Sequence, residues 1–244
     1  MSGGLGAERP LAGRAAIVTG ASRGIGRAIA ERLADLGAEV ATLQRSEGPG
    51  LSIPVDVGDA EAAERAVEEA AERLGRLDVC VTSHGAMHRE PALELSVEAL
   101  RHVLEVNLVG AFVVSRAAAR HFVTQGDGGR IVHVASMMSF HAGVNTLAYA
   151  ASKGGLARLM QAQANEWAPL GIRVNAVAPG WVETELTQAL REDEERYAQI
   201  LARIPVGRWA QPEDVAGAVA FLCLPDAEYL NGVLLPVDGG WLGR

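Results

Sequence analysis

The octet Thr19-Gly20-Ala21-Ser22-Arg23-Gly24-Ile25-Gly26 lies between a β-branched run and a stretch whose Ile25, Ile29, Leu33 and Leu36 share one helical face. A strand, a glycine turn and a helix in that order commit the chain to a βαβ crossover. The glycines let the backbone approach a pyrophosphate. The helix that follows offers unpaired N–H groups and the positive end of its dipole. A bare spacing of three glycines carries little weight; this placement makes it a dinucleotide loop.

The same alternation runs through the chain. Residues 15–19, 39–43, 51–55, 77–82, 131–135, 172–178 and 233–237 read as seven strands. Gly37 ends the first helix. Asp59 caps a second, whose Ala63, Val67, Ala70 and Leu74 share a face before Gly75 stops it. Long helices are expected over 97–123, with room for a kink, and over 150–167, and a shorter one after Pro212. This is an α/β pattern: a Rossmann-type, doubly wound, seven-stranded parallel sheet with helices on both faces. Residues 44–50 break the rhythm, since parallel neighbours usually need a crossover of about a dozen residues or more. A tight, irregular connection is expected there. With no repeat and no linker, residues 11–244 read as a single domain. Residues 1–10 read as a disordered lead-in without the charged-then-apolar pattern of a signal peptide.

Bulk properties narrow the function classes. A hydrophobic content of 49% supports a sizeable core, yet no apolar run is long enough to span a bilayer. A net charge of −8 argues against nucleic acid, whose phosphates need basic surface. The two cysteines, Cys80 and Cys223, sit in apolar segments, which fits a reducing cytoplasm and no disulfide framework. No metal site is read from the sequence.

Chemistry concentrates in Ser136, Tyr149 and Lys153. Tyr149 and Lys153, four apart, share a helix face with Cβ atoms about 5–6 Å from each other. A free phenol titrates near ~10, so acid–base work near neutrality asks for a shift of roughly three units, about 4 kcal/mol. One neighbouring cation supplies about 1 kcal/mol in water and about 4 in a partly enclosed cleft. Lysine alone is marginal, and an oxidised nicotinamide ring would complete the shift. Taken alone, Tyr-x-x-x-Lys reads as a surface pair; the glycine loop and Ser136 outweigh that. Ser136 ends a buried strand at the carboxyl edge of the sheet, where doubly wound folds bind ligands. Asn107 sits among Val103, Leu104, Val106 and Leu108, where an unpartnered amide costs about 1–3 kcal/mol.

Together with Pro179-Gly180 and Thr184, these motifs resemble the short-chain dehydrogenase/reductase family from about Leu11 onward. The resemblance implies Tyr149 as general acid/base, Lys153 lowering its pKa and holding the nicotinamide ribose, Ser136 bonding the substrate oxygen, and Asn107 anchoring a relay water. It places the cofactor against Gly20, Ser22, Arg23, Gly24, Ile25 and Gly26, and against Gln44 and Arg45 at the end of the second strand. Asp56 and Val57 would contact the adenine, and Gly85, Pro179, Gly180, Val182 and Thr184 would complete the site. It further implies a homotetramer and a helical substrate flap over 184–203. One stretch departs from the family: where Asn-Asn-Ala-Gly is usual, this chain has Thr82-Ser83-His84-Gly85. Thr82 can still bond within the sheet, and His84 reads as a tolerated substitution near the cofactor.

Two arginines, Arg23 and Arg45, and no carboxylate at the end of the second strand favour NADP(H), with NAD(H) as the alternative. Among the other histidines, His102 and His121 read as solvated, His133 as a satisfied interior residue, and His141 as a candidate for the substrate pocket. Glu192 to Glu195 reads as a solvated helix face. Within the family, the chain most resembles the 2-dehydro-3-deoxy-D-gluconate 5-dehydrogenase/2-deoxy-D-gluconate 3-dehydrogenase branch. That likeness rests on Arg89-Glu90, Ala135-Ser136-Met137, Ser139-Phe140, Asn165-Glu166-Trp167, Arg203-Ile204-Pro205, Gly207-Arg208-Trp209 and Val237-Asp238-Gly239-Gly240-Trp241-Leu242. It implies a sugar acid whose carboxylate meets Arg89, with His141 and Trp181 shaping the pocket. A 3-oxoacyl thioester is the competing substrate, and a dinucleotide sensor without turnover is the competing class.

Overall fold

A computed structural model describes residues 9–244. Of the expected lead-in at 1–10, residues 1–8 lie outside the described residues. Arg9 and Pro10 are placed in a turn whose Arg9 carbonyl accepts from Ala12 N–H at 2.9 Å.

The strands are β1 (Ala15–Thr19), β2 (Glu39–Gln44), β3 (Leu51–Pro54), β4 (Val79–Thr82), β5 (Gly129–Val134), β6 (Ile172–Pro179) and β7 (Leu234–Val237). They form one parallel sheet in the order β3-β2-β1-β4-β5-β6-β7. The chain runs outward from β1 to β3, then returns to place β4 on the other side of β1. That reversal opens a crevice at the carboxyl ends of β1 and β4, the ligand position in such sheets.

Side chains alternate across the strands into two cores. Ile17 and Cys80 face one layer, with α2 (Ala60–Leu74), α4 (Gly110–Gln125) and α5 (Leu147–Trp167). Ala16, Val18, Val79 and Val81 face the other, with α1 (Gly24–Asp35) and α8 (Pro212–Cys223). Ile17, Ile29 and Leu33 are wholly buried, each contributing roughly 1.5–3 kcal/mol. Asp59 caps α2 by accepting from Ala62 N–H, and Gly75 ends it in the left-handed conformation. The connection at 45–50 holds no helix and is closed by Thr42 Oγ1 donating to the Pro49 carbonyl at 2.9 Å.

Two helices differ from the sequence reading. The stretch expected at 97–123 is α3 (Val97–Leu104), a π turn (Glu105–Val109) and α4. Gly110 sends its N–H back five residues to the Glu105 carbonyl, which widens the coil. The helix expected at 150–167 begins at Leu147, so Tyr149 sits in its first turn. Thr146 at its N-cap turns its hydroxyl back to the Gly143 carbonyl and makes no side-chain bond to the first turn, which left the start without a sequence signal.

Between β6 and α8 lie a 3₁₀ turn (Glu185–Thr187), α6 (Gln188–Glu192) and α7 (Glu194–Leu201). Ile200 and Ile204 pack on Met137, Trp209 and Trp241 in a third, aromatic cluster. Glu192, Asp193, Glu194 and Glu195 are exposed, as read.

Inside the sheet, Thr82 Oγ1 lies 2.7 Å from His133 Nδ1, and His133 Nε2 lies 3.0 Å from Gln163 Oε1. Gln163 donates to Ser115 Oγ at 2.8 Å, and Ser115 donates to the Phe112 carbonyl at 3.0 Å. His133 is thus satisfied, and burial holds its pKa down at about 4.

Candidate active site

The glycine loop leaves β1 and enters α1 with no side-chain cap: the side chain of Arg23, at the N-cap, makes no bond to the first turn. Those N–H groups are open to the crevice, and the dipole adds positive potential. A Cβ on Gly26 would lie 2.3 Å from the Gly20 carbonyl oxygen, so only glycine lets the loop fold back on the helix. The donor set and the backbone approach fit a pyrophosphate.

The crevice is a cleft of about 1100 Å³. Its walls include Gly20, Ser22, Arg23, Gly24, Ile25 and Gly26 from the loop, and Gln44 and Arg45 from the end of β2. Asp56 and Val57 after β3, Gly85 after β4, and Pro179, Gly180, Val182 and Thr184 after β6 complete them. Gln44 lines the cleft but bonds inward: its Oε1 accepts from Ala21 N–H at 3.3 Å and its Nε2 donates to Thr42 Oγ1 and Ser52 Oγ. Arg23 pairs with Glu185 across the cleft mouth.

Several lining residues escaped the sequence reading, Glu47, Ser46 and His102 among them. Glu47, two residues past Arg45, sets a carboxylate beside the arginine on which the NADP(H) preference leans. Ser46 lies between them, and His102, although exposed, also borders the cleft. The first two were legible as neighbours of Arg45. His102 was not, because the turn of α3 toward the cleft depends on the π turn behind it.

Ser136, Tyr149 and Lys153 meet on the far wall. Lys153 Nζ donates to the Val134 carbonyl at 2.8 Å and lies 5.7 Å from the centre of the Tyr149 ring. Burial lowers its pKa to about 8, so it still carries its charge near neutrality. Burial raises the Tyr149 phenol above its usual range; a hydrogen bond from Ser136 and the Arg89 charge act against that rise. Two cations thus stand near the phenol, the Arg89 charge that acts against the rise and Lys153 beside the ring. Ser136 Oγ also accepts from Met138 N–H at 3.1 Å, which fixes its rotamer.

Asn107 stands in the π turn, 1% exposed and behind the cleft wall. Its Oδ1 accepts from Ala86 N–H at 2.6 Å, and its Nδ2 donates to the Ala86 carbonyl and to Ser152 Oγ, each at 2.9 Å. The amide has its partners, and the side chain ties the β4 loop to α5.

The substrate candidates are dispersed. Arg89 is exposed and within electrostatic reach of the phenol. His141 instead lines a separate, mainly apolar groove of about 810 Å³ with Glu90, Leu93, Phe140 and Val144. Tyr149 is not among the walls of that groove. Trp181 packs into the aromatic cluster, its ring centre 5.4 Å from that of Trp209 and 5.8 Å from that of Trp241.

Comparison with known proteins adds three findings. The sequence profile described as enoyl-(acyl carrier protein) reductase, of the adh_short_C2 type, matches residues 20–242. The 2-dehydro-3-deoxy-D-gluconate 5-dehydrogenase of Escherichia coli (strain K12) is 39% identical over 96% of this chain and 97% of its own length. Two solved structures superpose closely. One, from Beutenbergia cavernae and assigned as an NAD(P)-dependent gluconate 5-dehydrogenase, holds NADP at low occupancy; it gives a TM-score of 0.92 at 46% identity over 97% of this chain and all of that one. The other is a gluconate 5-dehydrogenase from Burkholderia cenocepacia J2315 in complex with NADP and tartrate. It gives a TM-score of 0.92 at 33% identity over 97% of this chain and 98% of that one.

Proposed function

The chain belongs to the short-chain dehydrogenase/reductase family, and on that premise we propose that it interconverts a secondary alcohol and a ketone on a sugar acid, with a nicotinamide cofactor. The observation that carries this reading is the convergence of Ser136, Tyr149 and Lys153 on the wall of a cleft built over a glycine loop. Sugar-acid dehydrogenases among the relatives supply the substrate class.

The bound nicotinamide supplies or accepts the hydride. In the oxidation, Ser136 Oγ holds the substrate hydroxyl and the Tyr149 phenolate takes its proton; in the reduction, the phenol returns it. Lys153, held by the Val134 carbonyl, keeps N–H groups free for the ribose and adds positive potential beside the phenol. Because both Asn107 amide hydrogens are taken by Ala86 and Ser152, a relay water at this residue would bond its main chain or the remaining lone pair of Oδ1. Gly20 to Gly26 hold the pyrophosphate, and the segment from Thr184 to Arg203 serves as the flap over the substrate. With Val97, Val123 and Leu147 exposed on the long helices, these faces suit assembly into a cytoplasmic homotetramer. Among the described residues, no helix is long and apolar enough to cross a membrane.

Arg89 is the cation for the substrate carboxylate. Replacing it with alanine should raise KM for 3-deoxy hexulosonates or gluconates by about tenfold, the lower end of a charged hydrogen bond, and lower kcat less. The assay compares those acids with acetoacetyl thioesters. A thioester turned over much faster would replace the sugar-acid reading, and an unchanged KM would remove Arg89 as the anchor.

For the cofactor, Arg23 and Arg45 border the adenosine end and favour a 2′-phosphate, while Glu47 opposes it. The expected result is a higher kcat/KM with NADP(H) than with NAD(H), and measurable turnover with both. A strong NAD(H) preference would show that Glu47 outweighs the arginines.

A further inference from the structure

His84 departs from the residue usual at its place and takes no part in the mechanism above, yet it is bonded at the centre of the site. Its Nδ1 lies 2.5 Å from Thr19 Oγ1 at the end of β1, and the same hydroxyl accepts from Ser83 N–H at 3.1 Å. That N–H occupies one lone pair of the hydroxyl oxygen and leaves the other, so the bond between Thr19 and Nδ1 can run in either direction. Burial lowers the pKa of the ring to about 3, while the Val106 carbonyl acts in the opposite sense.

Nε2 is buried and has no partner at hydrogen-bond distance among the described residues. It faces the π turn. Gly110 would donate to the Val106 carbonyl in an α-helix, but its N–H bonds Glu105 instead, which takes the usual donor away from Val106. A Cβ at Gly110 would lie 3.3 Å from His84 Nε2 and 2.6 Å from the Val57 carbonyl oxygen, so glycine leaves the room in which the ring sits. On the other side, a Cβ at Gly20 would meet the His84 Cα at 2.8 Å, which shows how closely the glycine loop lies on this backbone.

We propose that His84 is a positioning residue that joins the glycine loop to the π turn carrying Asn107, through the bond of Nδ1 to Thr19 Oγ1 on one side and the packing of its Nε2 edge against the backbone at Gly110 on the other. The cofactor cradle and the helix segment behind the proton-transfer group are then held in register by one ring. The inference rests on the proposed reaction only where turnover is read.

The two nitrogens can be tested apart. His84→Asn places an oxygen near Nδ1 and keeps the Thr19 bond but cannot reach the π turn at Gly110. His84→Gln places an amide N–H near Nε2 and gives up Thr19. The readouts are NADPH affinity by fluorescence titration, hydrogen exchange of the amides at 105–110, and kcat. For the asparagine variant we expect NADPH affinity near wild type, exchange in the π turn faster by about tenfold, and kcat down by about tenfold, short of the roughly 10²-fold that a misplacement of about 1 Å brings. For the glutamine variant we expect NADPH affinity weaker by about tenfold and π-turn exchange near wild type. If both variants move affinity and exchange in parallel, or neither moves either, the coupling is refuted. Affinity and exchange need no substrate, so a wild-type protein inactive on sugar acids would count against the reaction and leave those two readings to decide on His84.

Discussion

Tyr149→Phe is expected to lower kcat by roughly 10²–10⁴-fold, the contribution of a positioned acid–base group, while the cofactor still binds. Phenylalanine keeps the ring beside Lys153 and removes only the hydroxyl that exchanges the proton. Lys153 remains bonded to Val134, and the glycine loop lies on the opposite wall, so the cradle has no reason to move. The cofactor-free phenol is raised by burial, with Ser136 and Arg89 acting against the rise. The direction matters for the pH profile: oxidation needs the phenolate, so its rate should climb with pH until the phenol has lost its proton. In the phenylalanine variant that limb should vanish with the rate. Stopped-flow or steady-state kinetics across pH, paired with a fluorescence titration of NADPH, separates the two effects. Turnover near wild type would remove Tyr149 from the chemistry, and lost NADPH binding would mean that the hydroxyl serves the cofactor.

The second large effect belongs to the glycine loop. Gly26→Ala adds a methyl group 2.3 Å from the Gly20 carbonyl oxygen and 2.8 Å from its carbon. Both are main-chain atoms, so no rotamer change relieves the clash, and the loop must move away from α1. Overpacking of this kind costs about 1–3 kcal/mol of stability. A shift of about 1 Å in the phosphate cradle should weaken NADPH binding by about 10²-fold. Thermal unfolding followed by circular dichroism reports the first quantity, and the fluorescence titration reports the second. A variant with a reduced Tm but unaltered NADPH affinity would show that the pyrophosphate does not rest on this turn.

Local signals account for how much of the fold could be read beforehand. Ala15 to Thr19 is buried on both faces, and a strand of that kind appears as an unbroken apolar run. Asp59 and Gly75 mark both ends of α2 because capping is written in the side chains themselves. The short link after Gln44 was legible because chain length alone forbids a helix there. The π turn was not legible, since one extra residue in a coil leaves the apolar spacing of Val103, Val106 and Val109 almost unchanged. In the site, motif residues fell on the cleft wall because the loops after β1, β4 and β6 leave the sheet at one edge. His141 and Trp181 were harder to place. His141 follows the end of β5 by seven residues and Trp181 that of β6 by two, and where such a loop turns depends on packing against elements distant in sequence, Leu93 for the first and Trp209 and Trp241 for the second.

The row of hydrogen bonds from Thr82 to the Phe112 carbonyl has a consequence for descent. Gln163 Oε1 can only accept, so His133 donates from Nε2 and receives from Thr82 at Nδ1; each proton in the row then has a single direction. Changing one member strands its neighbour's polar atom in a dry interior, at about 1–3 kcal/mol. A lineage cannot easily cross that step one substitution at a time. Positions 82, 133, 163 and 115 are therefore tied as a unit of inheritance, kept together or exchanged together, even though they come from two strands and two helices far apart in the chain.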